Sequence, residues 1–515
     1  MNINFSSAKE IFATSDFSRI ISLIIFAVFI KILVISGSNV INPDGVRYAN
    51  SAYNLMNGDY TTAFLHEKML VYSLVLGFFH LLTDDWMLAG QLLSATFLIL
   101  TIFPLYHLTK CVFQANAAFW AVLMFILLPS GNVLTASVVK DAPFLFFLLS
   151  ALYFGYKSLA ENRPLYCLLT FCCGFLATMF RFEAVIFLAL YFVRLLFLVS
   201  YRPSAERWVL IRSMVIYLSI PMVCLLGVSG LLLFGVFDVA AFEQVWQRFH
   251  SHYFQTNLTG NYYAIYDHLK SVERNFPGGQ WTNDFFEIAR YNLPLIYLMG
   301  MLQKLVDVLF PVYVIPLYFG IKAARLSQGN KSLLVWTIFA YLGTAYFFIV
   351  TRNFLSGRYL LIVALMLLPF VGHGLERLRE SLATTRFPKT VAVVAVTLFI
   401  LAPLYETFAD TRKEKIEIRL AGEWLRDNRD VLRQRIITND ERIPFYAGLM
   451  RGGYEVIPYE QSMNYADTAL ARQCSLMVLE LSLREEGKLS DFVNFQRVRE
   501  FRGDRKVVLI YETNQ

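Results

Sequence analysis

The sequence predicts a polytopic α-helical membrane protein with about eleven spans and a small C-terminal α/β domain outside the membrane. Three observations carry this reading. Hydrophobic residues make up 57% of the 515 positions and charged residues only 17%, with a mean hydropathy of +0.49; an ordinary soluble domain carries roughly 25% charged residues. The apolar residues are gathered into runs long enough to cross a bilayer, which takes about 20 residues. From about residue 408 the composition changes to dense charge with no long apolar run. This balance excludes a disordered chain and a disulfide-stapled mini-protein. It also argues against a fully soluble enzyme, whose interior could not hide so much apolar surface.

The first run, about 20–38, is long and has no small-residue cleavage site, so it reads as a retained anchor rather than a cleaved signal. Further runs fall near 87–109, 117–136, 143–157, 165–180, 184–200, 213–236, 305–321, 332–350, 360–374 and 391–407. The run 69–83 is shorter and ends in Asp84 and Asp85, so it reads as an amphipathic helix lying in the interface. Charge placement supports that count. With a cytoplasmic N-terminus, every short inner loop holds basic residues, from Lys9 and Arg19 through Lys110, Lys157 and Arg202 to Lys322 and Arg386. Counting 69–83 as a span would invert every later loop.

The outer segments are then about 39–86, 137–142, 181–183, 237–304, 351–359 and the tail. The chain divides into a membrane part, 1–407, and an outer α/β part, 408–515. The tail pattern is a helix (AGEWLRDNRDVLRQ), a strand (RIITND), a strand (SLMVLELS), a helix (EEGKLSDFVN) and a hairpin turning at Gly503-Asp504. Of the six cysteines, five lie in or beside apolar stretches, and no paired CxxC spacing supports zinc or a disulfide framework.

Charges on the outer side are the candidates for chemistry. Asp44 follows the first span, and Arg47 and Tyr48 come three and four residues later, on the same side of a helix. Glu67-Lys68 opens the in-plane helix, and Asp141 stands at the mouth of a span. Each has a plainer explanation. Asp44 can be a helix cap near Pro43 and Gly45, Asp141 a cap before Pro143, and Glu67-Lys68 an exposed pair worth almost nothing. The outward-facing bases, Arg181 and Arg358 among them, either snorkel to headgroups or bind an anion. Acids and bases gathered at membrane depth suit a substrate with a lipid tail and an anionic head. A carboxylate can take a proton from an attacking hydroxyl, and Arg or Lys can neutralise a departing phosphate. No Gly-rich phosphate loop follows a strand, so no nucleotide site is expected, and no nucleic acid partner. A lipid-carried donor is the chemically consistent choice.

These motifs resemble the GT-C glycosyltransferases that use polyprenyl-phosphate sugars, especially the aminoarabinose transferase of lipid A and the protein O-mannosyltransferases of glycosyltransferase family 39. Asp44 with Arg47-Tyr48 is similar to the family's Asp-x-x-Arg-Tyr. Glu67-Lys68 resembles its Glu-Lys, Asp141 the acid opening the fourth span, and Ser356-Gly357-Arg358-Tyr359-Leu360 an Arg-Tyr at the start of a late span. The likeness is best over the first two hundred residues, and the tail resembles the outer α/β domain of bacterial members. Met69-Leu70 stand where the family usually has Pro, and no Trp-Trp-Asp motif occurs, which argues against the oligosaccharyltransferase branch.

The resemblance implies a GT-C fold in the bacterial inner membrane, with the active site on the outer face. It implies an inverting transfer from a polyprenyl-phosphate-linked sugar to a lipid, glycan or protein acceptor. Asp44 would be the base and Asp141 would orient sugar or acceptor. Arg47, Lys68 and Arg358 would hold the donor phosphate, and Tyr48 and Tyr359 would line the substrate. Glu67 would hold a divalent metal with His250 or His252. Two other readings stand beside it. A flippase for a lipid-linked glycan would show internal repeats, and none is visible; a glycan polymerase or ligase would use diphosphate-linked donors.

Overall fold

The computed structural model describes residues 14–161, 163–201, 260–275, 280–324, 331–384, 389–411, 415–430, 434–450, 452–459, 474–486 and 495–513, with scattered positions between 207 and 247. The described elements up to residue 411 are helices, and a five-stranded sheet lies in the tail. Among the described residues, six helices are long and apolar enough to cross a membrane, or up to nine if each of three bent pairs forms one span. The expected run 213–236 lies outside the described residues.

Helix Thr14–Ser36 matches the anchor, and Asp141–Glu161, Ala184–Tyr201, Ser332–Arg352, Gly357–Thr384 and Lys389–Thr411 cover their expected runs. Helix Leu70–Thr83 has only 14 residues, about 21 Å at 1.5 Å per residue, and it leaves Tyr60–His66 at a bend of 108°.

Two expectations are corrected. The run 305–321 is not one span: helix Leu293–Leu309 ends at Phe310, whose φ is +74°, before Pro311 starts a 3-10 turn into Val314–Ala324. Proline disfavours the helical conformation in the residue before it, and hydropathy averaging cannot see that break. The described part of 237–304 is not loop either, since Gly260–Asn275 and Gln280–Tyr291 are helices. Their aromatic and polar content hid an amphipathic pattern.

Helix Gly357–Thr384 is the most enclosed of the long helices, and glycine sets its packing distances. A Cβ on Gly374 would lie 1.8 Å from the Pro316 carbonyl oxygen, one on Gly320 would lie 1.9 Å from that of Phe370, and one on Gly372 2.3 Å from that of Ala117. Helices Val314–Ala324 and Ala115–Leu127 therefore touch it backbone to backbone. Close contact through small residues is how helices associate where no hydrophobic force separates them from lipid. A buried polar contact lies farther along the bundle. Lys31 Nζ donates to Asn132 Oδ1 at 2.6 Å, and Asn132 Nδ2 donates to Thr407 Oγ1 at 3.3 Å.

The sheet has the order β2-β1-β3-β5-β4, with β1 Ile436–Thr438, β2 Tyr454–Val456, β3 Leu476–Ser482, β4 Phe495–Arg502 and β5 Lys506–Thr513. β1 pairs parallel with β2 and β3, while β5 is antiparallel to β3 and β4. β3 is buried on both faces, which is why it reads as a nearly unbroken apolar run. Edge strand β4 carries Arg497, Arg499, Glu500 and Arg502, a charged edge that resists pairing with other chains. The expected tail is modified in three places. Its first helix runs Ile416–Asn428, ahead of the predicted bounds. β2 and the short helix Arg442–Tyr446 were not expected. Of the predicted second helix, 485–494, only Glu485 and Glu486 are described, and they close the short helix Leu483–Glu486.

The chain falls into two compact units. One holds Met1–Ile32, Ala95–Leu134 and Lys140–Thr407; the other holds Leu33–Ser94, Thr135–Val139 and Phe408–Gln515.

Candidate functional site

In the unit that contains Lys140–Thr407, four charged side chains converge. Asp141 is the first residue of its helix and is buried. Its partner is Arg181, from the short connection between Pro164–Phe180 and Ala184–Tyr201, through Nη1. The other edge of the same guanidinium grips Glu183, with Nη2 to Oε1 at 2.9 Å and Nε to Oε2 at 3.5 Å. Arg358, second residue of helix Gly357–Thr384, brings Nη1 to 3.8 Å from Asp141 Oδ2. The Arg181 side chain is 11% exposed and that of Arg358 is 40% exposed.

Aromatic rings frame the group. The Arg181 guanidinium lies 4.5 Å from the Tyr359 ring centre and 5.5 Å from that of Phe144. The Tyr341 hydroxyl donates to the Glu183 carbonyl at 3.1 Å. Phe144, Arg181, Glu183, Tyr341, Arg358 and Tyr359 line one partly open pocket. Burial works against the Arg181 charge, but Glu183 and Asp141 outweigh it and hold its pKa well above the ordinary value. Burial likewise pushes the Glu183 carboxyl up, and Arg181 outweighs that and holds it below the usual range.

Asp141 is thus no simple cap, because its carboxylate is spent on arginines rather than on the helix N-terminus. The sequence offered Arg181 only as one of several outward-facing bases, and it did not single out Glu183. The signal was an acid and a base inside a three-residue connection between two apolar runs.

In the unit that contains the sheet, helix Pro43–Met56 carries Asp44 and Arg47. Its N-cap is Asn42, not Asp44, and the Asn42 side chain is used elsewhere. Asn42 Oδ1 accepts from the Val138 amide at 2.8 Å and Nδ2 donates to the Val138 carbonyl at 3.2 Å. Ser38, Gln91 and Ser94 hold the carbonyls of Ala136 and Ser137. These side chains satisfy the non-helical stretch before Asp141, as buried backbone requires. Gly45 and Gly90 flank Val138 so closely that a Cβ on either would approach it to 2.8 and 2.4 Å.

Arg47 points to the loop after β1, where Nε meets both oxygens of Glu441 at 3.1 and 3.2 Å. Burial lowers and Glu441 raises the Arg47 pKa, and the ion pair wins; at Glu441 burial wins over Arg47 and the carboxyl is pushed up. Burial, then Arg47, pushes the His66 imidazole below its ordinary value. Tyr48, expected against substrate, is buried instead, edge-on to Tyr72 with ring centres 4.8 Å apart. One step beyond Arg47 on the helix turns its side chain into the interior of this unit.

Lys68 is exposed in the extended link between Tyr60–His66 and Leu70–Thr83, and the Glu67 carboxylate accepts from the Met69 amide at 3.0 Å. The expected site residues fall in two units: Asp141, Arg358 and Tyr359 in one, with Asp141 and Arg358 in contact, and Asp44, Arg47, Glu67 and Lys68 in the other, with Asp44 and Arg47 one helical turn apart. His250 and His252 lie outside the described residues. Among the described residues, no group of three His, Cys, Asp or Glu side chains could hold a metal ion. Glu67 alone does not make a ligand set.

Comparison with known proteins fits this architecture. The family model described as dolichyl-phosphate-mannose-protein mannosyltransferase matches residues 67–234. ArnT from Cupriavidus metallidurans, solved bound to undecaprenyl phosphate, superposes with a TM-score of 0.52 at 14% identity, over 97% of this chain and 98% of that one. The fold is that of the GT-C glycosyltransferases. The archaeal oligosaccharyltransferase AglB from Archaeoglobus fulgidus, solved with an inhibitory peptide and a dolichol-phosphate, gives a TM-score of 0.55 at 13% identity, over 92% of this chain and 70% of that one. No curated protein matches by sequence. At these identities the likeness establishes the GT-C fold, and the long apolar helices of the chain itself carry its membrane character.

Proposed function

We propose that this protein is a membrane glycosyltransferase that moves a sugar from a polyprenyl-phosphate carrier to a hydroxyl or phosphate acceptor on a lipid, glycan or protein, at the outer face of a bacterial inner membrane. The observation that carries the reading is the aromatic-walled pocket that presents Arg358 beside the ion-paired Arg181 and Glu183, set at helix ends of a GT-C fold. An anionic head on an apolar tail needs such a place: charge to meet the phosphate, rings to meet the sugar, and apolar helices alongside.

The reaction is a direct displacement with inversion. The acceptor oxygen forms a bond to the anomeric carbon as the bond from that carbon to the carrier phosphate oxygen breaks. The proton of an acceptor hydroxyl passes to the Asp44 carboxylate, and polyprenyl phosphate departs with the bonding electron pair. Asp44 acts as base. Arg47 and Lys68 meet the carrier phosphate and neutralise its growing charge. In the other unit, Asp141 orients sugar or acceptor. Arg358 rather than Arg181 is assigned to the anion, because Arg181 already spends both edges of its guanidinium on carboxylates.

The test compares cells with and without the protein by mass spectrometry of membrane glycolipids and glycans, and adds Asp44→Asn. The wild type adds a sugar to one component, and the Asn variant, present at equal level in the membrane, adds none. An unchanged glycan profile on deletion, or full modification by the Asn variant, overturns the reading.

A further inference from the structure

We propose that Glu441, carried by the loop after β1, is a positioning residue for Arg47, so that the sheet takes part in binding the carrier phosphate. The proposal rests on the assignment of Arg47 made above. It starts from how firmly the loop is fixed. On one side of Glu441, the Asn439 side chain pairs with both backbone groups of Glu480 in β3, Nδ2 to the carbonyl and Oδ1 from the amide, each at 2.8 Å. On the same side, the Asp440 carboxylate holds the residue just beyond Glu441, Arg442, accepting from its amide at 2.9 Å and from its Nη2 at 2.5 Å. Asp440 and Arg442 side chains are each only 10% exposed. Glu441 therefore stands between two anchored neighbours, with its own side chain 19% exposed.

Helix Pro43–Met56 meets this part of the sheet along one stripe. Arg47 reaches Glu441, and three residues on Asn50 Nδ2 donates to the Tyr454 hydroxyl at 3.4 Å. Ile41, just ahead of the helix, donates its amide to the Tyr446 hydroxyl at 2.7 Å. Asp44 lies one turn before Arg47 on the same stripe, and its charge acts on both Arg47 and Glu441.

The chemistry of the pairing sets its role. A guanidinium has five N–H donors in a rigid fork. Glu441 takes the Nε donor with both oxygens, which fixes the torsion of the long side chain. Arg47 is 56% exposed beyond that contact, so its terminal nitrogens are aimed rather than consumed. A planar fork aimed in advance loses less freedom when it binds a phosphate. Glu441 thus acts through Arg47 and does not touch the substrate.

The test measures binding of undecaprenyl phosphate to the full chain in lipid nanodiscs, for wild type, Arg47→Ala, Glu441→Ala, Glu441→Gln and the Arg47→Ala/Glu441→Ala double variant, each checked for a monodisperse gel-filtration peak. Glu441→Ala should raise the Kd about tenfold, the scale of one lost orienting contact. Glu441→Gln keeps an acceptor oxygen on Nε, so it should give a smaller rise. In the Arg47→Ala background Glu441→Ala should add nothing, because residues that act through one another are not additive. An unchanged Kd in both Glu441 variants beside a raised one in Arg47→Ala overturns the positioning role alone. An equal factor in both backgrounds also overturns it, since that is the mark of a general structural effect. If Arg47→Ala binds as wild type does, or wild type does not bind, the Arg47 assignment fails and the Glu441 proposal with it. Should Glu441→Ala not give a monodisperse peak, Glu441→Gln in the two backgrounds decides by the same criteria.

Discussion

Arg181→Met removes a buried cation from between two carboxylates and leaves both behind. Asp141 is 6% exposed and keeps only the 3.8 Å approach of Arg358; Glu183 is 28% exposed and can recover some water. Breaking a buried pair by deleting one partner costs about 3–5 kcal/mol, chiefly through the stranded charge. The partial exposure of Glu183 places this case at the lower end, about 3 kcal/mol. If the penalty comes from stranded charge, neutralising the carboxylates should relieve it. The triple variant Arg181→Met, Asp141→Asn, Glu183→Gln should then recover most of the stability, because replacing every member of a buried ionic group is often near neutral. The assay is unfolding of the detergent-solubilised protein, followed by the burial-sensitive labelling of Cys167, Cys172 and Cys173 on the neighbouring helix Pro164–Phe180. A triple variant no more stable than Arg181→Met would refute the electrostatic account and leave the ring contacts with Tyr359 and Phe144 as the source.

Other perturbations test other parts of the structure. Gly374→Ala places a methyl group 1.8 Å from the Pro316 oxygen and 2.9 Å from the Gly320 nitrogen, so it should cost at least about 3 kcal/mol or prevent folding, read as loss of the monodisperse peak. Gly300→Ala in helix Leu293–Leu309 meets nothing within 4 Å and should melt at or slightly above the wild-type temperature. Asn42→Ala strands the Val138 amide and carbonyl, at about 1–3 kcal/mol for the unsatisfied groups, and Asn42→Asp should retain part of the difference by keeping the acceptor for the amide. His66 has a native pKa below its unfolded one, so its contribution is complete above about pH 6.5 and is lost as pH falls through that value toward the native pKa. His66→Gln should flatten the unfolding profile over that window; an unchanged slope would show that His66 does not titrate differently on folding.

The parts legible in the sequence are those set by local pattern. Hydropathy located the long helices, and the Gly503-Asp504 turn within VREFRGDRKVVLIYE located the β4–β5 hairpin. What escaped is set by single residues or by distant contacts. Pro311 splits a run whose average hydropathy is unaffected by the split. β2 is three residues long and half exposed, too short for a period to register. Arg181 lies 40 residues from Asp141 in the chain, and Arg47 lies 394 from Glu441. Spacing along the chain has no access to such pairings. Tyr48 shows the limit of helical geometry as well: adjacency to Arg47 was legible, but a 100° step decides whether a ring meets solvent or the interior.

The arginines can be sorted by how many edges of the guanidinium the protein itself uses. Arg181 gives Nη1 to Asp141 and the Nε–Nη2 edge to Glu183, with rings on its faces. Binding a phosphate there would require breaking an ion pair in a dry setting, so Arg181 is a fixture of the pocket wall. Arg358 meets Asp141 at 3.8 Å, longer than a hydrogen bond, and is 40% exposed. Arg47 gives Nε to Glu441 and is 56% exposed. At both arginines a carboxylate stands close enough to steady the charge in the resting state, and part of the side chain stays exposed. A cation at the edge of lipid needs such a counter-charge, since an unpaired one is costly and finds other partners. Stripping the carboxylate would then free the arginine to relax toward headgroups. Retaining it keeps the arginine aimed, and so the acids beside these arginines belong to anion recognition as much as the bases do.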